Sequence, residues 1–243
     1  VLQMKSNDFK LEFKKPIIDC YKNLIEKGIS EDPLKRPSFD EIVYDLRTNP
    51  DYLIDTVNKE EYFEYIKYID GCFENQNFEE VDIEIDDNSN IPKLNFSINI
   101  KTLNLDNYRK IEKIGKGGFG VVYTVAEKET NNIYAAKVSL RVLDAYSKDL
   151  VLNLSREIDI ISQLNHPAIL KYIGYNPNNF KYKPKPTILT ELATNKSLDN
   201  VIELESMSCG IHEWDDTKKL INIYGIAAGM SYIHSKNILH RDL

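Results

Sequence analysis

A glycine-rich run is the first stretch whose residue types and spacing suit phosphate chemistry. Gly115, Gly117 and Gly120 form a G-x-G-x-x-G pattern. Because glycine lacks a Cβ, backbone N–H groups beside it can approach an anionic phosphate closely. The same pattern before a helix is typical of dinucleotide-binding folds. Here residues 121–125 (Val-Val-Tyr-Thr-Val) favour a strand, so the sequence predicts a strand–turn–strand flap over a phosphate.

A lysine and a glutamate downstream of the glycines have types that suit each other. Lys137 lies within an apolar segment, residues 133–140, which predicts a second strand. An unpaired ammonium in such a strand would be costly, so an anion is expected nearby. Spacings of four and three predict a following helix, and Glu157 is the only charged member of its apolar stripe. The stripe consists of Leu150, Leu154, Glu157, Ile161 and Leu164. We therefore expect Glu157 to pair with Lys137; for the helix alone, a partly exposed Glu157 at the edge of the stripe is the alternative.

The last four residues add a carboxylate in a recognisable context. His240, Arg241, Asp242 and Leu243 follow a helix that is predicted to extend to about residue 234. Asp216 or Thr217 is the expected N-cap of that helix. Histidine and aspartate near a helix end are usually caps or solvated side chains, so the motif gains weight only from its place after the lysine.

Together these motifs resemble the small lobe and the catalytic loop of a eukaryotic-type protein kinase. The resemblance implies that the glycines cover the phosphates of ATP, that Lys137 holds the α- and β-phosphates and that Glu157 pairs with Lys137. It implies that Asp242 is the base that orients the acceptor hydroxyl, and that Arg241 senses a phosphorylated activation loop. The residues implied to bind ATP are Ile114, Gly115, Lys116, Gly117, Gly118, Phe119, Gly120, Val122, Ala135, Lys137, Thr190, Glu191 and Leu192.

The same resemblance gives the adenine site. Residues 186–193 (Pro-Thr-Ile-Leu-Thr-Glu-Leu-Ala) predict a buried strand that leads into a polar segment, as the last small-lobe strand of a kinase leads into the hinge. Thr190 would then guard the back of the adenine pocket. Residues 191–193 would offer backbone hydrogen bonds to the purine, and Val122 with Ala135 would form the ceiling over it.

Residues 1–55 resemble a different part of a kinase. Pro16 and Gly28 bracket one helical pattern, and a capping box from Ser38 to Glu41 predicts the start of another. Between them, Asp32-Pro33 with Arg36-Pro37 resembles the segment that joins the last two helices of the kinase large lobe. That segment here precedes the glycine run. Two tandem kinase domains explain this order, and circular permutation is the alternative.

The predicted organisation follows from this order. Residues 1–55 are the helical end of an upstream kinase domain, residues 56–105 an acidic linker with one amphipathic helix, and residues 106–243 the first part of a second kinase domain. The expected fold class is α+β: an antiparallel five-stranded small lobe with one main helix and the first helices of the large lobe, preceded by a small all-α piece.

The resemblance implies a protein kinase that transfers the γ-phosphoryl group of Mg-ATP to serine or threonine, with tyrosine as the alternative acceptor. The run Arg36-Pro37-Ser38-Phe39 and the Thr190-Glu191-Leu192 hinge look like those of the tyrosine-kinase-like serine/threonine group. The 243 residues contain no Asp-Phe-Gly or Ala-Pro-Glu motif. We therefore expect no metal ligand within them, Mg²⁺ ligands beyond Leu243, and no activity from this piece alone. A pseudokinase or scaffold that binds nucleotide or partners without catalysis is the alternative.

Composition limits the remaining classes. The net charge is −7, and residues 56–100 alone hold eleven acids and three bases; a solvated spacer is the favoured interpretation and a site for a basic partner the alternative. No basic patch with interleaved aromatics predicts nucleic-acid binding. The sequence shows no signal peptide or membrane span, and Cys20, Cys72 and Cys209 lack metal-ligand spacing, so reduced thiols in the cytoplasm are expected. The expected partners are a protein substrate and a contact between the tandem domains, with no nucleic acid and no membrane.

Overall fold

The computed structural model describes residues 13, 16–72, 100–118, 120–143, 148–195, 197–207 and 214–240. Contacts divide the chain into two compact units, a helical unit (Val1–Gly71 with Ser208–Leu243) and a sheet unit (Cys72–Met207). The helices and strands are α1 (Asp19–Gly28), α2 (Phe39–Thr48), α3 (Lys59–Gly71), β1 (Tyr108–Lys116), β2 (Gly120–Glu127), β3 (Ile133–Ser139), α4 (Lys148–Gln163), β4 (Tyr172–Asn176), β5 (Thr187–Glu191), α5 (Leu198–Ser206) and α6 (Asp216–Ser235). Short 3₁₀ helices cover Pro33–Lys35, Pro50–Tyr52 and Leu105–Asn107.

The sheet unit is built on one five-stranded antiparallel sheet in the order β1-β2-β3-β5-β4. Helix α4 packs against β4. This is the predicted small-lobe architecture, so the α+β fold class is confirmed. The strands predicted over residues 121–125, 133–140 and 186–193 are present as β2, β3 and β5, and their ends differ from the expected ones by one or two residues.

The two faces of the sheet carry different side chains because directly opposed residues of paired strands point to the same side. Val122 lies opposite Lys137, and Lys137 lies opposite Ile188. Ile188 belongs to an apolar cluster with Ile158 of α4, so we call this side the α4 face. The other side, the outer face, carries a separate cluster of buried residues: Leu103, Leu105, Tyr108, Val125, Ala136 and Leu189.

The helical unit buries an apolar cluster in which α2 and α3 pack on α6. Its fully buried members are Leu46, Tyr52, Tyr62, Ile69, Leu220 and Tyr224. Polar contacts accompany this packing, since Arg47 donates to the Tyr224 hydroxyl (2.7 Å) and pairs with Asp70 (2.5 Å). The unit therefore joins segments that lie about 150 residues apart in the sequence.

Local signals for the helix ends were partly right. The predicted capping box is present: Ser38 Oγ accepts from Glu41 N (3.2 Å) and Ser38 N donates to Glu41 Oε2 (2.7 Å). The expected cap of α6 was wrong. Asp215, not Asp216 or Thr217, accepts from Lys218 N (2.8 Å). Thr217 is buried and its hydroxyl accepts from the backbone of another segment, Asn58 N (2.8 Å).

The compact units do not follow the predicted domain boundaries. Helix α3, expected within a solvated linker, buries Tyr62, Ile66 and Ile69 in the helical unit. The acidic residues 73–99 lie outside the described residues. The origin of residues 1–55 in an upstream kinase domain stays a prediction.

No helix of the described residues has both the length and the apolar character needed to cross a membrane. Cys20 and Cys72 are free thiols, the first buried and the second exposed. Burial raises the pKa of the Cys20 thiol, which makes it a poor nucleophile. Cys209 lies outside the described residues.

Candidate active site

The glycine run forms a tight hairpin between β1 and β2. Gly115 pairs with Val122 and Lys116 with Val121, and Gly117 N donates to Gly120 O (2.9 Å) to close the turn. The chain thus goes from strand to turn to strand, as the β-branched residues after the glycines indicated.

The glycines differ in how strongly the structure requires them. A Cβ on Gly120 would lie 2.8 Å from the carbonyl oxygen of Val138, a backbone atom of the adjacent strand β3. A Cβ on Gly115 would lie 3.8 Å from the Val122 side chain, an ordinary contact. At Gly117 and Gly118 nothing lies within 4 Å, so backbone N–H groups there are open to a close ligand. Phe119 lies outside the described residues.

Lys137 and Glu157 meet as predicted, with Lys137 Nζ 3.3 Å from Glu157 Oε1. The premise that Lys137 is buried was wrong: the two side chains are 47% and 49% exposed. The strand alternates, so Ala136 and Val138 are buried while Lys137 points to the α4 face at its open rim. An exposed pair contributes only about 0–1 kcal/mol to stability. The pair matters for position, because it holds the Lys137 ammonium group on β3, the strand next to the glycine hairpin.

Helix α4 carries Glu157 at the edge of its buried stripe. Ile158 is fully buried, and Leu154 and Ile161 pack against its cluster. Sequence reasoning missed Asp159, a carboxylate that is only 1% exposed. The signal that could have found it is spacing: Asp159 follows Val151 and Ser155, both buried, at intervals of four residues on the same helix face. Burial, together with the neighbouring Tyr175 and Asp159, raises the pKa of Tyr172 well above its ordinary value.

A cavity of about 190 Å³ opens at the ion pair. Its apolar lining residues are Leu154, Pro186 and Ile188, and its polar ones are Lys137, Ser139, Arg141, Asn153 and Glu157. A cavity with both apolar and cationic lining can bind an anionic ligand that also has an apolar part.

The residues expected around the adenine also share the α4 face. Ala135 lies opposite Thr190, two positions along the strands from the Val122–Lys137 pair. The Thr190 hydroxyl donates to Glu191 O (3.0 Å). The structure therefore brings Val122, Ala135, Lys137 and Thr190 together on one surface. Ile114 is half exposed near the start of the hairpin, and Lys116 is exposed.

The hinge segment is anchored through its first residue. Glu191 N donates to Lys171 O (2.9 Å), and Glu191 Oε1 accepts from Lys171 N (2.9 Å). The N–H of Glu191 is thus committed to the protein, so a backbone hydrogen bond from Glu191 to a purine would involve its carbonyl oxygen. Within the described ranges, the amides of Leu192 and Ala193 donate to no backbone carbonyl. These two amides and the Glu191 carbonyl are the groups that could meet a purine edge.

The catalytic-loop motif is only partly described. His240 is exposed, and Arg241 and Asp242 lie outside the described residues. Across the ranges that the structure describes, no cluster of three or more His, Cys, Asp or Glu side chains could hold a metal ion.

Comparison with known proteins identifies the family. Residues 108–243 match the family model "Protein kinase domain". The chain belongs to the protein kinase family. An Aurora kinase of Saccharomyces cerevisiae is 32% identical over 159 residues, which are 65% of this chain and 39% of that kinase. The probable serine/threonine-protein kinase PLK of Dictyostelium discoideum is 36% identical over 143 residues (57% and 13%), and the serine/threonine-protein kinase polo of Drosophila melanogaster is 31% identical over 142 residues (56% and 22%).

The family model covers the five strands and helices α4 to α6, so the predicted kinase assignment for this part of the chain is confirmed. The chain spans well under half the length of these relatives.

Proposed function

We propose that this chain carries the ATP-binding part of a serine/threonine protein kinase, which transfers the γ-phosphoryl group of Mg-ATP to a protein hydroxyl. One observation carries the proposal: Val122, Ala135, Lys137 and Thr190 share one face of the sheet, with the Lys137 ammonium 3.3 Å from the Glu157 carboxylate. The family membership agrees with this interpretation.

The residues present suit a nucleoside triphosphate. Nothing lies within 4 Å of a Cβ placed on Gly117 or Gly118, so the backbone of the turn is open to phosphates. Lys137 supplies a positive charge, and the amides of Leu192 and Ala193 supply donors at the other end. Val122 and Ala135 provide the small apolar surface that a purine ring needs between them.

Each side chain then has a role in binding or in moving a proton. Lys137 binds phosphate oxygens, and Glu157 keeps its ammonium pointed at them. Thr190 bounds the back of the purine site. Asp242 would accept the proton of the acceptor hydroxyl, and Arg241 would pair with a phosphorylated loop. When bound, ATP supplies the phosphoryl group with Mg²⁺ on its phosphates; we assign no metal ligand among residues 1–243.

Positioning and charge neutralisation are the main contributions of a kinase site to the transfer. The exposed Lys137–Glu157 pair agrees with this, since it adds little to stability and fixes where a cation stands.

The finer assignments rest on likeness. A serine or threonine acceptor is supported by relatives named serine/threonine-protein kinases. Membership of the tyrosine-kinase-like group is supported by the Arg36-Pro37-Ser38-Phe39 run and the Thr190-Glu191-Leu192 hinge. The Arg-Pro-Ser-Phe run, placed before the matched domain, also supports two kinase domains in tandem with a contact between them. A cytoplasmic location with reduced thiols completes the proposal.

Phosphoryl transfer by the full-length natural protein tests the function. With labelled ATP and casein as acceptor, Lys137→Met should lower the rate at least about 100-fold, because a catalytic cation is lost. Lys137→Arg should also be strongly impaired, since a planar fork does not replace a compact ammonium. Lys113→Met, an exposed lysine on β1, is the matched control and should keep the wild-type rate. Unchanged transfer by Lys137→Met would sink the assignment.

A pseudokinase or scaffold that binds nucleotide without catalysis is the second candidate, because the surface that carries Val122, Ala135, Lys137 and Thr190 would serve either class. It differs from the first in one result. The wild-type full-length protein would bind nucleotide, weakened by Lys137→Met, and would transfer no phosphate to any acceptor or to itself.

A further inference from the structure

A second cavity, of about 260 Å³, lies on the outer face of the sheet. The segment before β1, the turn after β2 and the loop after β4 enclose it. Its lining includes Tyr108, a member of the outer-face cluster, and so the cavity is on the side of the sheet opposite Lys137. The polar residues that line it are Asn104, Asp106, Lys110, Lys128, Asn178 and Asn179.

Two lysine ammonium groups of this cavity have no acidic partner among the described residues. Lys110 stands over the ring of Tyr123, with Nζ 4.1 Å from the ring centroid, and Lys128 makes a hydrogen bond only through its backbone N–H, to Asn107 O (2.8 Å). A cation–π contact orients an ammonium but leaves its N–H groups able to donate. Two positive charges therefore face a cavity in a chain whose net charge is −7.

The surrounding sequence has the same bias. Residues 101–116, 127–132 and 176–186 together hold nine Lys or Arg and four Asp or Glu. The rest of the chain has a net negative charge, so this region has a local net charge of the opposite sign. Such a reversal attracts anions and raises their local concentration.

The single carboxylate of the cavity is already engaged. The Tyr182 hydroxyl donates to Asp106 Oδ1 (2.6 Å), and this hydrogen bond raises the pKa of Tyr182 above its ordinary value. Tyr182 has a φ of 55°, in the left-handed region. Its phenol occupies one oxygen of the Asp106 carboxylate, which keeps its negative charge.

Two asparagine side chains are oriented so that they present donors. Asn104 Oδ1 accepts from Asp106 N (3.0 Å). Asn179 Oδ1 accepts from Lys181 N (2.8 Å) and Lys183 N (3.1 Å). Because each carbonyl oxygen is committed to the backbone, the NH₂ group of each amide is left to donate. The lining thus combines two cations and two fixed amide donors.

We propose that this cavity binds a phosphate monoester, the group shared by inorganic phosphate and a phosphorylated serine. A phosphate offers three terminal acceptor oxygens and close to two negative charges, which match the donors and the cations of the lining. Small-molecule pockets usually measure about 300–1,000 Å³, so a cavity of this size suits a head group. The proposal does not rest on the nucleotide site, because the two lie on opposite faces of the sheet.

Titration of the purified chain with inorganic phosphate at fixed ionic strength tests the site. Lys110→Gln and Lys128→Gln should each weaken binding at least about tenfold, while Lys113→Gln should change it less than about twofold. Asp106→Asn keeps an acceptor for Tyr182 and removes a negative charge, so it should tighten binding. If these residues had only a structural role, the lysine and aspartate substitutions would not change phosphate affinity in opposite directions. Absence of phosphate binding to the wild-type chain, or wild-type affinity in both lysine variants, overturns the proposal.

Two further arms separate this site from others. Phosphate binding should persist in Lys137→Met and in the presence of saturating non-hydrolysable ATP analogue; competition between the two ligands would assign the phosphate to the nucleotide face and overturn the proposal. N-acetyl-O-phosphoserine methylamide should bind at least as tightly as inorganic phosphate. If it binds more tightly, a phosphorylated segment is the source, and if it binds equally, the free ion is.

Discussion

Lys137 and Glu157 show what residue types alone can and cannot predict. Their pairing was correctly expected from a lysine in an apolar strand and a glutamate on an apolar helix stripe. The reason was wrong, because the pair is half exposed and not buried. Strand alternation decides exposure at Lys137, and only the packing of α4 shows that its rim stays open to solvent.

His166 is a single residue that should make the free energy of unfolding depend on pH. It is 5% exposed, its Nδ1 accepts from Ala168 N (3.0 Å), and burial lowers its pKa to about 4. The unfolded chain takes up a proton near the ordinary pKa of 6.5, whereas the folded chain does so only near 4. The free energy of unfolding should therefore fall as the pH drops from about 6.5 to about 4, by up to about 1.4 kcal/mol per pH unit.

Chemical denaturation between pH 7 and pH 4 measures this slope. His166→Asn, which keeps an acceptor for Ala168 N, should flatten it over that window. His234→Asn replaces an exposed histidine and should leave the slope as in the wild type. An unchanged slope in His166→Asn would show that another group is responsible.

At the scale of elements, periodicity predicted most of the sheet unit. The strands around the glycine run were predicted by β-branched and aromatic residues, and the capping box predicted the start of α2. The cap of α6 could not be predicted by the same means. Three polar residues, Asp215, Asp216 and Thr217, stand in a row there. Only the hydrogen bond from Lys218 N to Asp215 shows which one caps the helix.

The hairpin between β1 and β2 gives a prediction for this scale. Gly120→Ala should destabilise the chain by about 1–3 kcal/mol, because its Cβ meets the Val138 carbonyl and the backbone must shift. Gly117→Ala, in the same turn and with open space around it, is the control and should change stability by less than about 1 kcal/mol. Thermal unfolding of the two variants checks this; equal losses would contradict the packing of Gly120.

At the scale of the whole molecule, the helical unit was not predictable from local pattern. Its core packs α2 and α3 against α6, although the residues of the sheet unit lie between these helices in the sequence. Each helix has an apolar face by its own periodicity, but nothing in that periodicity says which faces meet. The predicted linker helix α3 consequently became part of a core.

The contact of Tyr65 with Gly225 tests this arrangement. A Cβ on Gly225 would lie 2.6 Å from the Tyr65 hydroxyl oxygen and 3.5 Å from the ring. Alanine is otherwise favoured over glycine within a helix by about 1 kcal/mol. Gly225→Ala should therefore be more favourable in a Tyr65→Phe background than in the wild type, by at least about 1 kcal/mol.

A double-mutant cycle of denaturation midpoints measures this coupling. Gly71→Ala, where nothing lies within 4 Å, should show no coupling to Tyr65→Phe. Additive effects of Gly225→Ala and Tyr65→Phe would mean that α3 and α6 do not meet as described.

The central claim is that the α4 face binds a nucleotide through Lys137, and a titration of the purified chain with a fluorescent ATP analogue tests it most directly. We expect saturable binding by the wild type, at least about tenfold weaker binding by Lys137→Met, and wild-type affinity in Lys113→Met. Unlabelled ATP should displace the analogue, and inorganic phosphate should not. Equal affinity of Lys137→Met and the wild type would contradict the account.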